Sequence, residues 1–386
     1  MNTSIQFDYV FCGAGLASLM LAYKMKSEVF FENATVLIID REEKKTNDRT
    51  WCFWDDKPNI WQDLVAKKWT AALFINKDIS ISLKLKPFEY QMVEGIDFYQ
   101  KIQSFLNTQK NVHFLKDTVL SIEEENNQVF IQMASTGIIR ANKVFDSRFN
   151  ASILESQSNH FYLKQHFKGW FIETENAVFD IGKVTFMDFS VAQKGNTRFI
   201  YILPFTEKKA LVEYTLFSEN LLPESEYDDA IEAYLKKIGT GVYTIKRIEK
   251  GNIPMTCFRF DSLNSKNVLR IGSAGGWTKP STGFTFKNTE RISTKLIKFL
   301  KEKNDFKEFK TRSRYWFYDL ILLDVLAMNN HLGASVFSAV FLKNKPESVF
   351  RFLDGQSSLK EEIKIILSCP KKPFIKAFVR RIRKGF

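Results

Sequence analysis

One carboxylate interrupts an otherwise apolar stretch: Glu213 in "KKALVEYTLF", Lys208 to Phe217. Strand side chains alternate between two faces. Glu213 is therefore predicted to share a face with Leu211, Thr215 and Phe217, while Ala210, Val212, Tyr214 and Leu216 share the other. Two environments satisfy a carboxyl in such a place. An edge strand or a twisted face lets it reach water. An enclosed site of low polarity instead raises its pKa and makes it a proton donor or acceptor near neutrality.

Two glycine turns carry a second kind of chemistry. "GAGLAS" follows the apolar strand "FDYVFC" and opens the helical "LASLMLAYKMK". Gly13 and Gly15 occupy the first two positions of a dinucleotide fingerprint, and Ser18 stands in the third. Glycine there permits a tight turn and lets a pyrophosphate approach the backbone at a helix N-terminus. Gly13, Ala14, Gly15, Leu16 and Ala17 form the candidate cradle, and Asp40, closing the strand "ATVLIID", is placed to bind a ribose hydroxyl. This turn alone does not separate FAD from NAD. The second turn, "GSAGGWTKPSTGF" from Gly272, also follows an apolar strand, with Gly272, Pro280 and Gly283 spaced for flavin contact. It resembles the C-terminal motif of glutathione-reductase-type flavoproteins, with Ser273 where Asp is usual. Gly275, Gly276, Thr282 and Phe284 complete this candidate site.

The elements that must position these residues follow from pattern. The opening reads strand, glycine turn, helix, strand, a βαβ unit. From about Phe161 to Ile253 the chain turns mostly to strands, with "QKGNT" and "FTEKK" as short loops of an antiparallel meander. "NVLRIGSAGG" returns to strand and glycine, and from Phe286 onward the pattern is helical. The predicted fold is α/β: a Rossmann-like FAD-binding domain of glutathione-reductase type, interwoven with a mostly antiparallel β-sheet substrate domain and followed by a helical C-terminal region. The predicted spans are 1–45, 96–150 and 265–310 for the first, 46–95 and 151–264 for the second, and 311–386 for the third. The site is expected where the first two meet.

Composition bounds the rest. The 386 residues suffice for two domains, and 37 Phe can line an aromatic interior. Cys12, Cys52, Cys257 and Cys369 are scattered without a CxxC pair, and only four His occur, so a reducing compartment and no metal site are expected. No uncharged apolar run reaches the roughly 18 residues of a membrane span; Asp319 and Asp324 interrupt "YWFYDLILLDVLAM". The formal charge of +12 is concentrated in "CPKKPFIKAFVRRIRKGF". There Phe374, Ile375, Phe378, Val379 and Ile382 recur at helical spacing among Lys371, Lys372, Lys376, Arg380, Arg381, Arg383 and Lys384. Such a helix suits an anionic bilayer surface, or packs on its own domain as a solvated tail. No RNP, zinc-finger or helix-turn-helix pattern points to nucleic acid.

Taken together, "GAGLAS", "DRTWCFWDD", "FDSR", "QHFKGW", "FMDFSV", "FIYILPFTEKKALVEYT", "EKGNIPMT" and "GGWTKPSTGFTF" resemble, in this order, the bacterial lycopene β-cyclase family, and "ILSCPKKP" fits its C-terminal region. Arg49 stands where relatives often have His, and Tyr214 where an acid often follows the strand Glu. The resemblance implies an isomerase. Proton addition, carbocation closure and proton loss would convert the ψ-ends of lycopene, or of other acyclic or monocyclic carotenoids, to β-ionone rings, through γ-carotene to β-carotene. It implies FAD in its reduced form, with NAD(P)H as reductant. Glu213 matches the family's strand Glu. Asp188 and Glu249 are implied either as a second acid or base or as structural hydrogen-bond partners. Arg49 and Asp146, the latter next to Arg148, would border the flavin. Trp51, Phe53, Trp170, Phe284 and Pro280 would shape the substrate cavity or belong to the core. A carotenoid substrate implies a peripheral protein on the cytoplasmic, inner face of the cell membrane. The competing readings are a redox flavoprotein of the same fold, a monooxygenase or isoprenoid reductase, and a non-catalytic carotenoid-binding or membrane scaffold.

Overall fold

The structure, a computed structural model, describes residues 6–77 and 79–384, so the outermost residues of the predicted spans, 1–5 and 385–386, lie outside it. The first sheet runs Val112–Lys116, Val36–Asp40, Gln6–Cys12, Ile138–Asp146, Gln128–Met133, Val119–Glu125, and Val268–Arg270 also pairs with Ile138–Asp146. Its strands from Val112–Lys116 to Ile138–Asp146, with Val268–Arg270, are parallel, as βαβ connections require. The helix Leu16–Lys26 packs between Gly95–Asn107 and Phe286–Glu302. It is buried nearly all round, which explains why its apolar residues show no single stripe. Gly13 has φ +105°, and a Cβ there would lie 2.2 Å from Ser147 Oγ, so this turn requires glycine. Ser18, in the third fingerprint position, is buried with its hydroxyl 3.4 Å from Ser147 Oγ.

The second sheet runs Tyr243–Met255, Leu163–Thr174, Lys209–Ser218, Thr197–Pro204, Lys183–Asp188, Ala71–Asn76, Ile79–Lys84. All its pairs are antiparallel except Lys183–Asp188 with Ala71–Asn76. Lys209–Ser218 is an interior strand, so the edge-strand explanation of Glu213 fails. Ala210, Val212, Tyr214 and Leu216 pack beneath the helix Glu224–Lys237 in one core. Leu211 and Phe217 face the opposite core, which the C-terminal helices cover with Leu320, Leu323, Phe341 and Phe350.

A small antiparallel sheet, Thr50–Asp55, Glu89–Glu94 and Val65–Trp69, joins the two halves. Strand alternation divides its side chains: Trp51 and Phe53 enter the core of the first sheet, whereas Cys52 and Trp54 enter that of the second.

Among the described residues, no single helix is long and apolar enough to cross a membrane; one bent pair, Arg314–Met328 with Asn330–Lys343, passes on length and composition at an angle of 112°. Both acids of the first of these helices are paired. Asp319 accepts from Lys279 Nζ at 2.9 Å and Ser281 Oγ at 2.6 Å. Asp324, fully buried, accepts from Arg380 Nη1 and Arg381 Nε, each at 2.7 Å. Two of the basic residues that surround the apolar stripe, Arg380 and Arg381, thus hold the terminal helix Lys371–Lys384 against its own domain. Arg381 and Ala377 face inward, while Ile375, Phe378, Val379 and Ile382 remain exposed.

Candidate active site

A cavity of about 930 Å³ is bounded by the first glycine turn, the small sheet, the second sheet, the second glycine turn and the C-terminal helices. Its walls change character along its extent. Gly15, Leu16, Ala17 and Arg49 line one part, Glu213, Thr215 and Glu249 another, and Phe317, Phe337, Phe374 and Phe378 a third.

The first part suits a dinucleotide. The helix Leu16–Lys26 has no side-chain cap at Gly15 and no acid in its first turn, so its N-terminal N–H groups are left for an anion. Among the described residues, a Cβ at Gly15 would meet nothing within 4 Å, so the backbone stands open there. The Ala14 N–H donates to Asp40 Oδ2 at 2.6 Å, which ties the end of the second strand to the turn. Elsewhere on the cavity wall, Thr282 Oγ1 and Gln165 Oε1 are buried without a hydrogen-bond partner among the described residues. Such orphaned groups fit a polar ligand. Gly272, Gly276 and Gly283 have φ of +60°, +69° and +73°, so the second turn is built from left-handed glycines. Ser273, in place of the usual Asp, is 3.1 Å from Thr278 Oγ1 through its hydroxyl.

The second part carries the acid–base groups. Glu213 pairs with Gly169 on one side and Tyr201 on the other, and Gly169 in turn pairs with Glu249. Residues opposite one another project to the same face, and Tyr201, Glu213 and Glu249 all line the cavity. Thr215 Oγ1 donates to Glu213 Oε1 at 2.5 Å. Burial pushes the Glu213 carboxyl up to about 8; the Thr215 bond opposes the shift and the charge on Glu249 adds to it. Glu249 is raised as well, chiefly by burial, against two bonds from Thr50: N–H to Oε1 at 3.1 Å and Oγ1 to Oε2 at 2.7 Å. Tyr201 and Tyr90 join their hydroxyls at 2.7 Å beside this row.

Of the residues singled out in the sequence, Gly15, Leu16, Ala17, Arg49, Trp51, Glu213, Glu249, Gly272, Thr282, Gly283 and Phe284 line the cavity. Others lie elsewhere. Asp188 accepts from Tyr234 Oη at 2.7 Å and the Ser190 N–H at 2.8 Å, fastening the sheet to the helix Glu224–Lys237. Trp170 pairs with Val212 and belongs to the core on the far face. Phe53 stacks on Phe286 at 4.7 Å within the first core. Asp146 is fully buried between Arg148 and Arg270, at 2.9 and 2.7 Å. Gly13 packs on Ser147, Gly275 on the Arg270 carbonyl and Gly276 on Phe260. Pro280 lies within the turn but off the cavity wall. These residues build the site's supports and do not form its surface. Tyr214 also faces away, its hydroxyl accepting from Arg198 Nη1 at 3.1 Å, so that departure leaves the cavity wall untouched.

Sequence reasoning missed Thr50, Cys52, Tyr90, Tyr201 and Gly169. For Tyr201, the alternation in "FIYILP" was an available signal. For Gly169 and Thr50 there was none, because their roles arise from pairing with distant residues.

The family model described as "Lycopene cyclase protein" matches residues 8–379. A neoxanthin synthase of Solanum lycopersicum is 26% identical over 77% of this chain, an alignment that spans 61% of the plant protein. A lycopene beta-cyclase of Pantoea ananas is 23% identical, over 75% of this chain and 74% of its own length. Among solved structures, a flavoprotein/dehydrogenase of Cytophaga hutchinsonii superposes with a TM-score of 0.60 at 12% identity, covering 99% of this chain and 100% of the other. The architecture is that of FAD-dependent flavoproteins, with two interwoven sheets and a helical C-terminal region. The chain belongs to the lycopene cyclase family.

Proposed function

We propose that this protein is a lycopene β-cyclase, an isomerase that closes the ψ-ends of lycopene into β-ionone rings, through γ-carotene to β-carotene. The observation that carries this reading is Glu213. Its carboxyl is on an interior strand, faces the cavity, and is pushed up to about 8 by burial, so it holds a proton at neutral pH. Ring closure begins when a proton adds to the terminal double bond. The resulting cation is attacked by a second double bond, and a proton is then lost. Trp51, Tyr201 and Phe284 line the cavity, where aromatic rings stabilise a cation and apolar walls limit the water that would quench it.

FAD fits the glycine-turn part of the cavity: the uncapped helix start at Gly15 to Ala17 would hold its pyrophosphate, and the second turn, around Thr282, would hold its flavin. When bound in its reduced form, with NAD(P)H as reductant, it supplies negative charge next to the cation without a net redox change.

The carotenoid enters from a bilayer. The helices Leu359–Ser368 and Lys371–Lys384 expose Ile363, Ile366, Leu367, Ile375, Phe378 and Ile382. Three of these, Ile366, Ile375 and Phe378, also line the cavity, so its apolar end opens on this face. Lys371, Lys372, Lys376, Arg383 and Lys384 are exposed around it and suit anionic headgroups on the inner face of the cell membrane.

Pigment chromatography from lycopene-producing cells expressing the chain tests the reading: γ- and β-carotene are expected. With purified protein under anaerobic conditions, many rings per reducing equivalent are expected. Reductant consumed one-for-one with product would instead indicate a redox flavoprotein.

A further inference from the structure

The second sheet sets two carboxylates on one face with a glycine strand position between them. Glu213 and Glu249 each pair with Gly169, from opposite sides, and both line the cavity. Two strand spacings put their Cα atoms roughly 10 Å apart on the same face of the sheet. Their surroundings differ. Glu213 accepts one hydroxyl bond, from Thr215; the charge on Glu249 opposes its ionisation, and Tyr201, Tyr90 and Cys52 beside it are uncharged near neutrality. Burial raises Glu249 too, but both its oxygens are held, by the Thr50 N–H and hydroxyl, and the cations Arg247 and Arg49 favour its anion. Arg247 also lies 3.6 Å from Glu94, which takes up part of its charge. Unequal surroundings of this kind give two carboxyls two roles.

Resting on the cyclase reading, we infer that Glu249 is a second catalytic group: Glu213 delivers the incoming proton and the Glu249 carboxylate takes the departing one. The steps balance without an oxidant. The π pair of the terminal double bond forms a new C–H bond with the Glu213 proton, leaving a tertiary cation. The π pair of the next double bond forms the ring C–C bond and moves the cation into the ring. A ring C–H pair becomes the new double bond, and its proton goes to Glu249. One proton has passed from Glu213 to Glu249, the substrate is isomerised, and exchange with water resets the pair.

The test compares wild type, Glu249→Gln and Thr50→Val, each reconstituted with FAD and reductant, across pH on lycopene in vesicles. Wild type is expected to give a bell-shaped kcat profile, falling at low pH as Glu249 protonates and at high pH as Glu213 ionises. Glu249→Gln keeps the shape of the side chain, and is expected to bind FAD normally, keep KM within about threefold, lose roughly 10²–10⁴ in kcat and lose the low-pH limb. Thr50→Val removes one of the two bonds that favour the anion, and is expected to move the low-pH limb upward with less than about a tenfold loss in kcat. Glu249→Gln with kcat near wild type, or with the low-pH limb intact, overturns the assignment. So does an equal loss in both variants with unshifted limbs, the pattern of a tie that only holds Thr50–Asp55 in place. A folded, flavin-loaded wild type that makes no rings would instead overturn the cyclase reading beneath it.

Discussion

Glu213 and Glu249 face one cavity from either side of Gly169, two strands apart and some 36 residues distant in sequence. The glycine is there for space, since a Cβ at this position would lie 2.7 Å from Leu211 Cδ1 and 3.3 Å from Glu213 Cβ. Gly169→Ala is expected to push Leu211 and Glu213 aside. The cost should be about 1–3 kcal/mol by urea unfolding, with a lowered kcat and a displaced high-pH limb in the flavin-loaded protein. Unchanged stability and pH profile would mean that Leu211 gives way freely.

Gly15 stands in open space at an uncapped helix start. Gly15→Val should therefore fold normally while filling the phosphate site. The expected result is an unchanged circular dichroism spectrum with loss of the bound-flavin absorbance. Full retention of FAD would place the cofactor elsewhere.

Asp324 and Arg381 form a buried pair that fixes the terminal helix to Arg314–Met328. Arg381→Met leaves Asp324 with only Arg380 and is expected to destabilise by about 3–5 kcal/mol. It should also open residues 371–384 to proteolysis. Asp324→Asn combined with Arg381→Met should recover much of the loss.

The exposed apolar face of the two last helices gives a separate test. Phe378→Asp with Ile382→Asp should abolish flotation with anionic vesicles and raise KM for membrane-borne lycopene, while FAD binding persists. Flotation of the double variant at wild-type level would assign membrane binding to another surface.

Some of this was legible in the sequence. The face shared by Leu211, Glu213, Thr215 and Phe217 follows from period-two alternation alone, and the first glycine turn from its strand–helix context. Other features depend on register. Trp170 falls on the far face because it pairs with Val212, and no local pattern near "KGWF" reveals that. Helical spacing in "FIKAFVRRIRK" gave an apolar stripe but not its direction. Only Asp324, on another helix, shows that Arg380 and Arg381 turn inward while Ile375, Phe378 and Ile382 turn outward. The acids Asp188 and Asp146 sit in motif-like settings, yet tertiary hydrogen bonds to Tyr234, Arg148 and Arg270 give them structural work.

The most direct test is Glu213→Gln, measured for ring formation and for stability across pH. A carboxyl whose folded pKa lies above its unfolded value weakens the fold progressively as pH rises from about 4.5 toward 8. The variant should therefore melt a few degrees above wild type at pH 9, with little difference at pH 5, bind FAD normally, and lose at least about 10³ in kcat for ring formation. A Glu213→Gln protein that forms β-rings at the wild-type rate would contradict the central role of this carboxyl.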